Sequence, residues 1–434
     1  MLLIYVPKIT NRCRYIFHLV FKDILGIDFE LVSDIDRFKN YAQEKICYAY
    51  QPIGDELFIQ CSKLLFETGI SEQNIQVFEW EHNVVFCGTG KHSVLPFDPF
   101  AAIFYLVSRY EEYLPHIRDK YDRYNAFESL AYKHNFLHKP VVNIWASWIR
   151  DLIAKRYPAL KFPERKYKYV STIDIDNAYA YKEKGLMRTL GGYAKSFTQF
   201  DLQQVTERTK VLIGARKDPY DTYDLLFDIQ RKYKLRPVYF ILLGDYDIND
   251  KNISPENNKF RSLIKNLADQ ADVGIHPSYA SNARKPQLQK ELKRLSSILN
   301  REITKSRQHF LKLRFPDTYR SLIDLDITDD YSMGYANQVG FRAGTCTPFN
   351  FYDLDQEVET RLKVHPFAVM DATLKYYMKV DPEEAMDYIK PLVDEVRAVN
   401  GVFMSLWHNE TLSNDKVWFG WRELYEDVVK YAVS

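Results

Sequence analysis

Ser171-Thr172-Ile173-Asp174-Ile175-Asp176-Asn177-Ala178-Tyr179 continues a run, Tyr167 to Ser171, that reads as a buried strand, and it sets two carboxylates two residues apart where that strand should end. Successive strand side chains alternate faces, so Asp174 and Asp176 are predicted to point the same way. Two like charges that close are costly unless a cation or a hydrogen-bond network holds them, which makes the pair a candidate metal or acid/base site. Taken alone, the segment reads equally well as an Asx-rich turn capping the helix that follows. Partners further along the chain must separate the two readings.

Downstream, strand-like and helix-like patterns alternate. After the strand at Tyr167 to Asp174 come a helix over Asp221 to Tyr233, a strand over Arg236 to Leu243, a helix over Asn257 to Ala271, a short strand over Asp272 to Ile275 and a long charged helix over Lys285 to Asn300. A strand near Thr304 to His309, a helix near Thr318 to Leu325, and strands near Arg361 to Val364 and Val402 to Trp407 complete the series. Such alternation predicts a parallel sheet, open or closed into a barrel, with ligands at the carboxyl ends of its strands. Polar residues stand at those ends: His276-Pro277-Ser278-Tyr279 after Val273 to Ile275, Arg307 and His309 after Thr304, and His408 after Val402 to Trp407. A single histidine is usually a hydrogen-bonded structural residue, but several strand ends each delivering Asp, His or Arg form a constellation that the fold brings together.

Upstream, residues 2 to 6 read as a buried strand and Arg14 to Leu25 as an amphipathic helix with Ile16, Val20 and Ile24 on one face. Strand-like runs recur at Cys47 to Tyr50, Glu56 to Gln60 and Asn83 to Phe86. A helix should begin at Asp98-Pro99, with Asp98 as cap, and run from Ala101 to Glu112. Ser108 to Glu112 reads as a solvated helix end, and Gly88-Thr89-Gly90-Lys91 as a tight turn, since it lacks the full phosphate-loop spacing. A helix over Val141 to Arg156 precedes a proline-containing basic stretch that marks a linker, so the chain divides near residue 163 into 1–163, a smaller α/β or α+β domain, and 164–434.

Composition narrows the function classes. The chain has 434 residues, 46% hydrophobic and 27% charged, with 59 basic against 58 acidic side chains, so no bulk charge steers it to nucleic acid or anionic lipid. Five cysteines without C-x-x-C spacing indicate neither a disulfide framework nor a cysteine zinc site. The first residues lack the pattern of a signal peptide and no long apolar stretch reads as a membrane span, so a cytoplasmic location is expected. Asp174 and Asp176 are too close in sequence to flank a glycosidic bond from opposite sides, which disfavours a glycosidase.

The order Thr172-Ile173-Asp174-Ile175-Asp176, Gly274-Ile275-His276-Pro277-Ser278, Arg307-Gln308-His309-Phe310 and Leu406-Trp407-His408 resembles the polysaccharide deacetylases, carbohydrate esterases with a distorted β/α barrel. Asp218 to Tyr223 and Asp330 to Gly344 resemble a bacterial branch that pairs this barrel with an uncharacterised amino-terminal domain. The resemblance implies metal-dependent removal of N-acetyl groups from an amino-sugar-containing saccharide, with a divalent ion, usually zinc in the family, as Lewis acid. It implies Asp174 as catalytic base, Asp176 and His276 as metal ligands, Arg307 as the partner that keeps the base ionised and oriented, and His408 as the acid that protonates the leaving amine.

The chain departs from the family pattern in three places. Ile175 separates aspartates that are usually adjacent, Ala280 stands where the second metal histidine is expected, and His309-Phe310 replaces a usual Pro-Tyr. His309 is expected to replace the missing histidine, completing an Asp176, His276, His309 shell, because Arg307 and His309 are spaced by two and should face one cleft. A catalytically inactive relative that only binds saccharide is the alternative. The complete site is expected within 164–434, with the first domain serving binding or assembly.

Overall fold

The computed structural model describes residues 1–434. Four strands come first, β1 (Leu2–Tyr5), β2 (Phe29–Val32), β3 (Lys45–Ala49) and β4 (Leu57–Gln60), all parallel and ordered β2-β1-β3-β4. The helix predicted from Arg14 to Leu25 is α-helical over Asn11–Phe17 and widens into π turns over His18–Ile24, burying Ile16, Val20 and Ile24 as their spacing requires. An antiparallel hairpin, β5 (Val77–Trp80) and β6 (Asn83–Phe86), follows. The helix Val141–Arg156 has the predicted bounds.

The helix capped by Asp98 starts as predicted, the carboxylate accepting from the N–H groups of Phe100 and Ala101, both at 3.1 Å. It stops at Val107, because Arg109 takes a left-handed conformation (φ 56°) and a single turn, Tyr110–Tyr113, resumes beyond it. Here the prediction of a solvated helix end is overturned: Arg109 and Glu112 are buried. Glu112 accepts from Nε of Arg109 at 2.8 Å and from Nε and Nη2 of Arg342 at 2.9 and 2.5 Å. Arg109 also donates to the Arg342 carbonyl and, at 3.1 Å, to Tyr335. Charges this deep persist only when each is paired and its remaining donors are matched. Sequence spacing could not reveal the partner, which lies more than two hundred residues away.

The larger sheet comprises β7 (Lys168–Ile175), β8 (Val238–Leu242), β9 (Asp272–His276), β10 (Lys305–Ser306), β11 (Asp329–Asp330), β12 (Phe349–Asp353), β13 (Val358–Val364), β14 (Val369–Met370) and β15 (Val402–His408). Its order is β12-β13-β11-β10-β9-β8-β7-β15-β14, with every pair parallel except β12 and β13. The predicted strands and helices are present with shifted ends; four further helices, Leu186–Thr198, Leu202–Leu212, Pro382–Ala398 and Trp421–Val433, were not anticipated. The two end strands are not paired to each other, so strand pairing does not itself close a barrel. One irregular stretch spans the gap: His365 and Phe367 donate to the Asp330 and Met333 carbonyls at 2.8 and 3.1 Å, and Ala368 donates to Met404 of β15 at 3.0 Å.

Residues on both sides of the linker share one hydrophobic cluster. Polar contacts reinforce it. Asn143 donates to Thr347 at 2.7 Å and accepts from Thr345 and the Cys346 N–H at 2.9 and 3.0 Å, while Arg12 pairs with Glu357 through two nitrogens. The buried ion group yields a test of this docking. Glu112→Ala is expected to lower the unfolding free energy by about 3–5 kcal/mol, measured by urea denaturation. Burial pushes the Glu112 carboxyl up, but Arg342 and Arg109 outweigh it and hold it below the usual carboxylate range. Its contribution is therefore complete above the unfolded value of about 4.3 and lost as pH falls through the folded one. Wild type should lose stability on acidification more steeply than Glu112→Gln; equal acid slopes would contradict this.

Candidate active site

The carboxyl ends of β10, β9, β7 and β15 bring all six residues singled out from the sequence into one place. Asp174 lies within β7 and Asp176 one residue past its end, on the same face as predicted: Nε2 of His276 is 3.6 Å from Asp174 Oδ2 and 3.1 Å from Asp176 Oδ1. The approach of β9 to its neighbours depends on Gly274, where a Cβ would meet the Lys305 carbonyl at 2.7 Å and the Phe240 ring at 2.8 Å. Beyond β10 the ladder continues through Arg307 N–H to the Ile275 carbonyl and His309 N–H to the Pro277 carbonyl, both 3.1 Å. Arg307 and His309 therefore share a pairing phase and turn to the same side.

Arg307 has 0% exposure. Its Nη1 donates to Asp174 Oδ1 at 3.0 Å and to Thr172 Oγ1 at 2.7 Å, and its Nε donates to the Tyr331 carbonyl at 3.0 Å. Its guanidinium carbon lies 4.6 Å from the Phe240 ring centre and 5.6 Å from that of Phe367. A carboxylate held by such a donor is fixed in direction.

The histidines have defined roles for each ring nitrogen. Nδ1 of His276 donates to the Arg307 carbonyl at 2.6 Å, and Nδ1 of His309 donates to Asp250 at 2.8 Å. Each Nε2 is thereby turned toward Asp176, His309 Nε2 lying 3.2 Å from Asp176 Oδ2. Ligand atoms of Asp176, His276 and His309 all lie within 4.8 Å of one another. Nε2 of His276 and Oδ1 of Asp176 are buried without a hydrogen-bond partner. A tetrahedral ion with ligands at about 2.1 Å brings its donors to separations of this order, so the residues present fit a divalent cation. Burial opposes ionisation of Asp176, but His309 and His276 hold its carboxyl well below the usual range; burial lowers His309, and Asp176 with Asp250 raise it to about 9.

Sequence reasoning missed two carboxylates behind the histidines. Asp250 is buried and also accepts from the N–H groups of Tyr279 and Ala280 at 2.9 and 3.2 Å, so the turn containing Ala280 supports His309 through Asp250. It sits among Asp245, Asp247, Asn249 and Asn252, where nothing local distinguishes it. Asp371, with 0% exposure, accepts from Nδ1 of His408 and from its N–H, both at 2.8 Å, and from Thr411 at 2.7 Å. Burial lowers the His408 pKa, but Asp371 outweighs it and holds the imidazole well above its usual value. Asp371 could have been found, because Phe367 to Met370 is an apolar run ending in Asp, the same signature as at the other strand ends.

Asp174, Asp176, His276, His309 and His408 line a cleft of about 360 Å³. Its wall also includes Lys120, Tyr121 and Arg123 from the first domain, while all six residues singled out from the sequence lie within 164–434. Arg123 is buried, pairs with Asp119 at 2.6 Å, and donates to the Phe310 carbonyl and to Tyr377, both at 2.9 Å. The Tyr121 ring packs 4.9 Å from Phe310.

Residues 2–158 match the model of a family of unknown function, DUF7033. No curated protein matches the chain. Solved structures similar to this chain include polysaccharide deacetylases. One, assigned as a polysaccharide deacetylase from Mycobacterium smegmatis, is 11% identical, with 62% of this chain and 86% of that one covered and a TM-score of 0.39. Puue allantoinase is 9% identical over 62% of this chain and 84% of its own, TM-score 0.38. A CE4 family pseudoenzyme from Bacillus anthracis is 12% identical over 60% and 62%, TM-score 0.29. At such identities and scores nothing about catalysis transfers from them, and the chemistry rests on the residues above.

Zinc affinity tests the cluster directly. His276→Ala and His309→Ala are expected to lose affinity comparably, and Asp250→Asn to lose about 10–100-fold by releasing the His309 ring. Competition with a chromophoric chelator measures all three; unchanged affinity in His309→Ala would remove it from the ligand set.

Proposed function

We propose that the chain is a metal-dependent hydrolase that removes N-acetyl groups from an amino-sugar-containing saccharide, on a deacetylase-type distorted barrel spanning 164–434. The observation that carries this reading is the pair of orphaned buried atoms, His276 Nε2 and Asp176 Oδ1, gathered with His309 beside an Asp174 that Arg307 clamps. In this reading Asp176, His276 and His309 hold a divalent ion, zinc by the chemistry of one carboxylate and two imidazoles. When bound, the ion supplies Lewis acidity toward the scissile carbonyl.

The chain's own groups handle the protons. Asp174, held in direction by Arg307, takes a proton from the attacking water. Asp371 fixes the His408 ring through Nδ1 and leaves Nε2 facing the cleft, where it donates a proton to the departing amine nitrogen. Tyr121, Phe310, Tyr376, Tyr377 and Trp418 offer aromatic faces to the apolar faces of sugar rings. A saccharide-binding protein without turnover would need neither the Arg307 clamp nor the Asp371 support, which favours the enzyme over the inactive alternative.

The amino-terminal region then has a concrete part, completing the cleft wall through Lys120, Tyr121 and Arg123. Tyr121→Ala should raise KM on oligosaccharides with little change in kcat, the mark of lost uniform binding; a fall in kcat alone would contradict that placement. Acetate release from N-acetylated saccharides, measured beside bound zinc, tests the function itself. Asp174→Asn is expected to slow release by about 10²- to 10⁴-fold with zinc content unchanged. A parental rate would refute the assignment as base, and parallel loss of zinc would make Asp174 a ligand instead.

A further inference from the structure

Between β7 and β8 the chain inserts a helical hairpin, Leu186–Thr198 followed by Leu202–Leu212. The first helix packs mainly on the second and buries only Ser196. Its large apolar side chains face water instead: Leu186 is 73% exposed, Met187 82%, Leu190 54% and Phe197 55%, and the turn adds Phe200 at 89% and Leu202 at 66%. The positions 186, 187, 190 and 197 fall on one stripe of a helix. An open stripe of this size costs free energy in water and calls for a covering phase.

Local charge says what kind. Residues 182–217 carry eight Lys and Arg against three Asp and Glu, in a chain that is otherwise balanced. All three carboxylates are engaged: Glu183 with Lys259 at 2.8 Å, Glu207 with Arg216 at 2.9 Å, and Asp201 as the cap accepting from the Gln204 N–H at 2.9 Å. Lys195 and Lys210 are exposed and have no carboxylate partner. Arg188 anchors the hairpin to the body, donating to the Asn252 and Lys251 carbonyls at 2.8 and 2.6 Å and lying 4.4 Å from the Tyr246 ring centre.

We propose that this hairpin docks on the surface of an anionic lipid bilayer, with the Leu186 to Phe200 stripe seated among the acyl chains near the headgroups and the lysines against lipid phosphates. An exposed apolar stripe on a hairpin that also carries exposed, unpaired cations is the pattern of an interfacial element. The local excess of positive charge disfavours a second copy as occupant, since two hairpins would bring like charges together. No helix of the chain is long and apolar enough to cross a membrane, so the contact is peripheral. The hairpin's base is stitched by Asp218, which accepts from the N–H groups of Ala180, Tyr181 and Lys182 at 2.7, 2.9 and 2.9 Å, a few residues beyond Asp176.

Co-sedimentation of the full chain with phosphatidylcholine vesicles, with and without phosphatidylglycerol, tests the proposal. The chain should pellet with the phosphatidylglycerol vesicles and be released by added salt. Leu190→Asp with Phe197→Asp should weaken binding by about tenfold or more. Lys195→Glu with Lys210→Glu should abolish the preference for phosphatidylglycerol while circular dichroism and zinc affinity match the parent. A parent that stays in solution with both vesicles, or an aspartate pair that pellets like the parent, would overturn the proposal. So would a lipid-free dimer that the aspartate pair converts to monomer, since the occupant would then be a second copy.

Discussion

Arg307 carries a full charge with no exposed surface, against the rings of Phe240 and Phe367, and is tolerated there because Thr172 and Asp174 of β7 and the Tyr331 carbonyl after β11 meet it from two segments. A guanidinium so placed needs a carboxylate partner, and its backbone carbonyl in turn fixes His276 through Nδ1. One buried cation thereby orders both the Asp174 carboxylate and the first histidine of the candidate metal cluster. The sheet supplies the geometry: β7, β9 and β10 end at one level, and the close packing at Gly274 holds β10 near β9.

Histidine support follows a repeated plan of a buried carboxylate on Nδ1, Asp250 behind His309 and Asp371 behind His408. In each case the carboxylate is itself held by backbone N–H groups, which offsets the cost of burying it. The turn at Tyr279 and Ala280 lends its N–H groups to Asp250, so it acts on the cluster through that carboxylate.

The amino-terminal region is bound into this arrangement by buried charge and shared core. Glu112 joins Arg109 to Arg342, and Arg123 reaches the carbonyl of Phe310, the residue next to His309. The inserted hairpin shows the opposite economy, leaving its apolar side chains in water while Lys195 and Lys210 stay without a carboxylate partner. Whole-chain charge balance hid that local excess, because averages over 434 residues erase a window of three dozen.

Legibility in the sequence tracked how local the cause was. The strand and helix alternation, the Asp98 cap, the one-face placement of Asp174 with Asp176 and of Arg307 with His309 all follow from periodicity and capping, which act over a few residues. The left-handed break at Arg109, the burial of Glu112, and the carboxylates Asp250 and Asp371 do not, since each depends on a partner brought near by folding. The amino acid sequence by itself determined which side chains would emerge at the strand ends and on which face. Tertiary structure alone decided which carboxylate stands behind each histidine and which wall Tyr121 completes, because burial creates an obligation to pair, and the pairing partner is set by packing rather than by position along the chain.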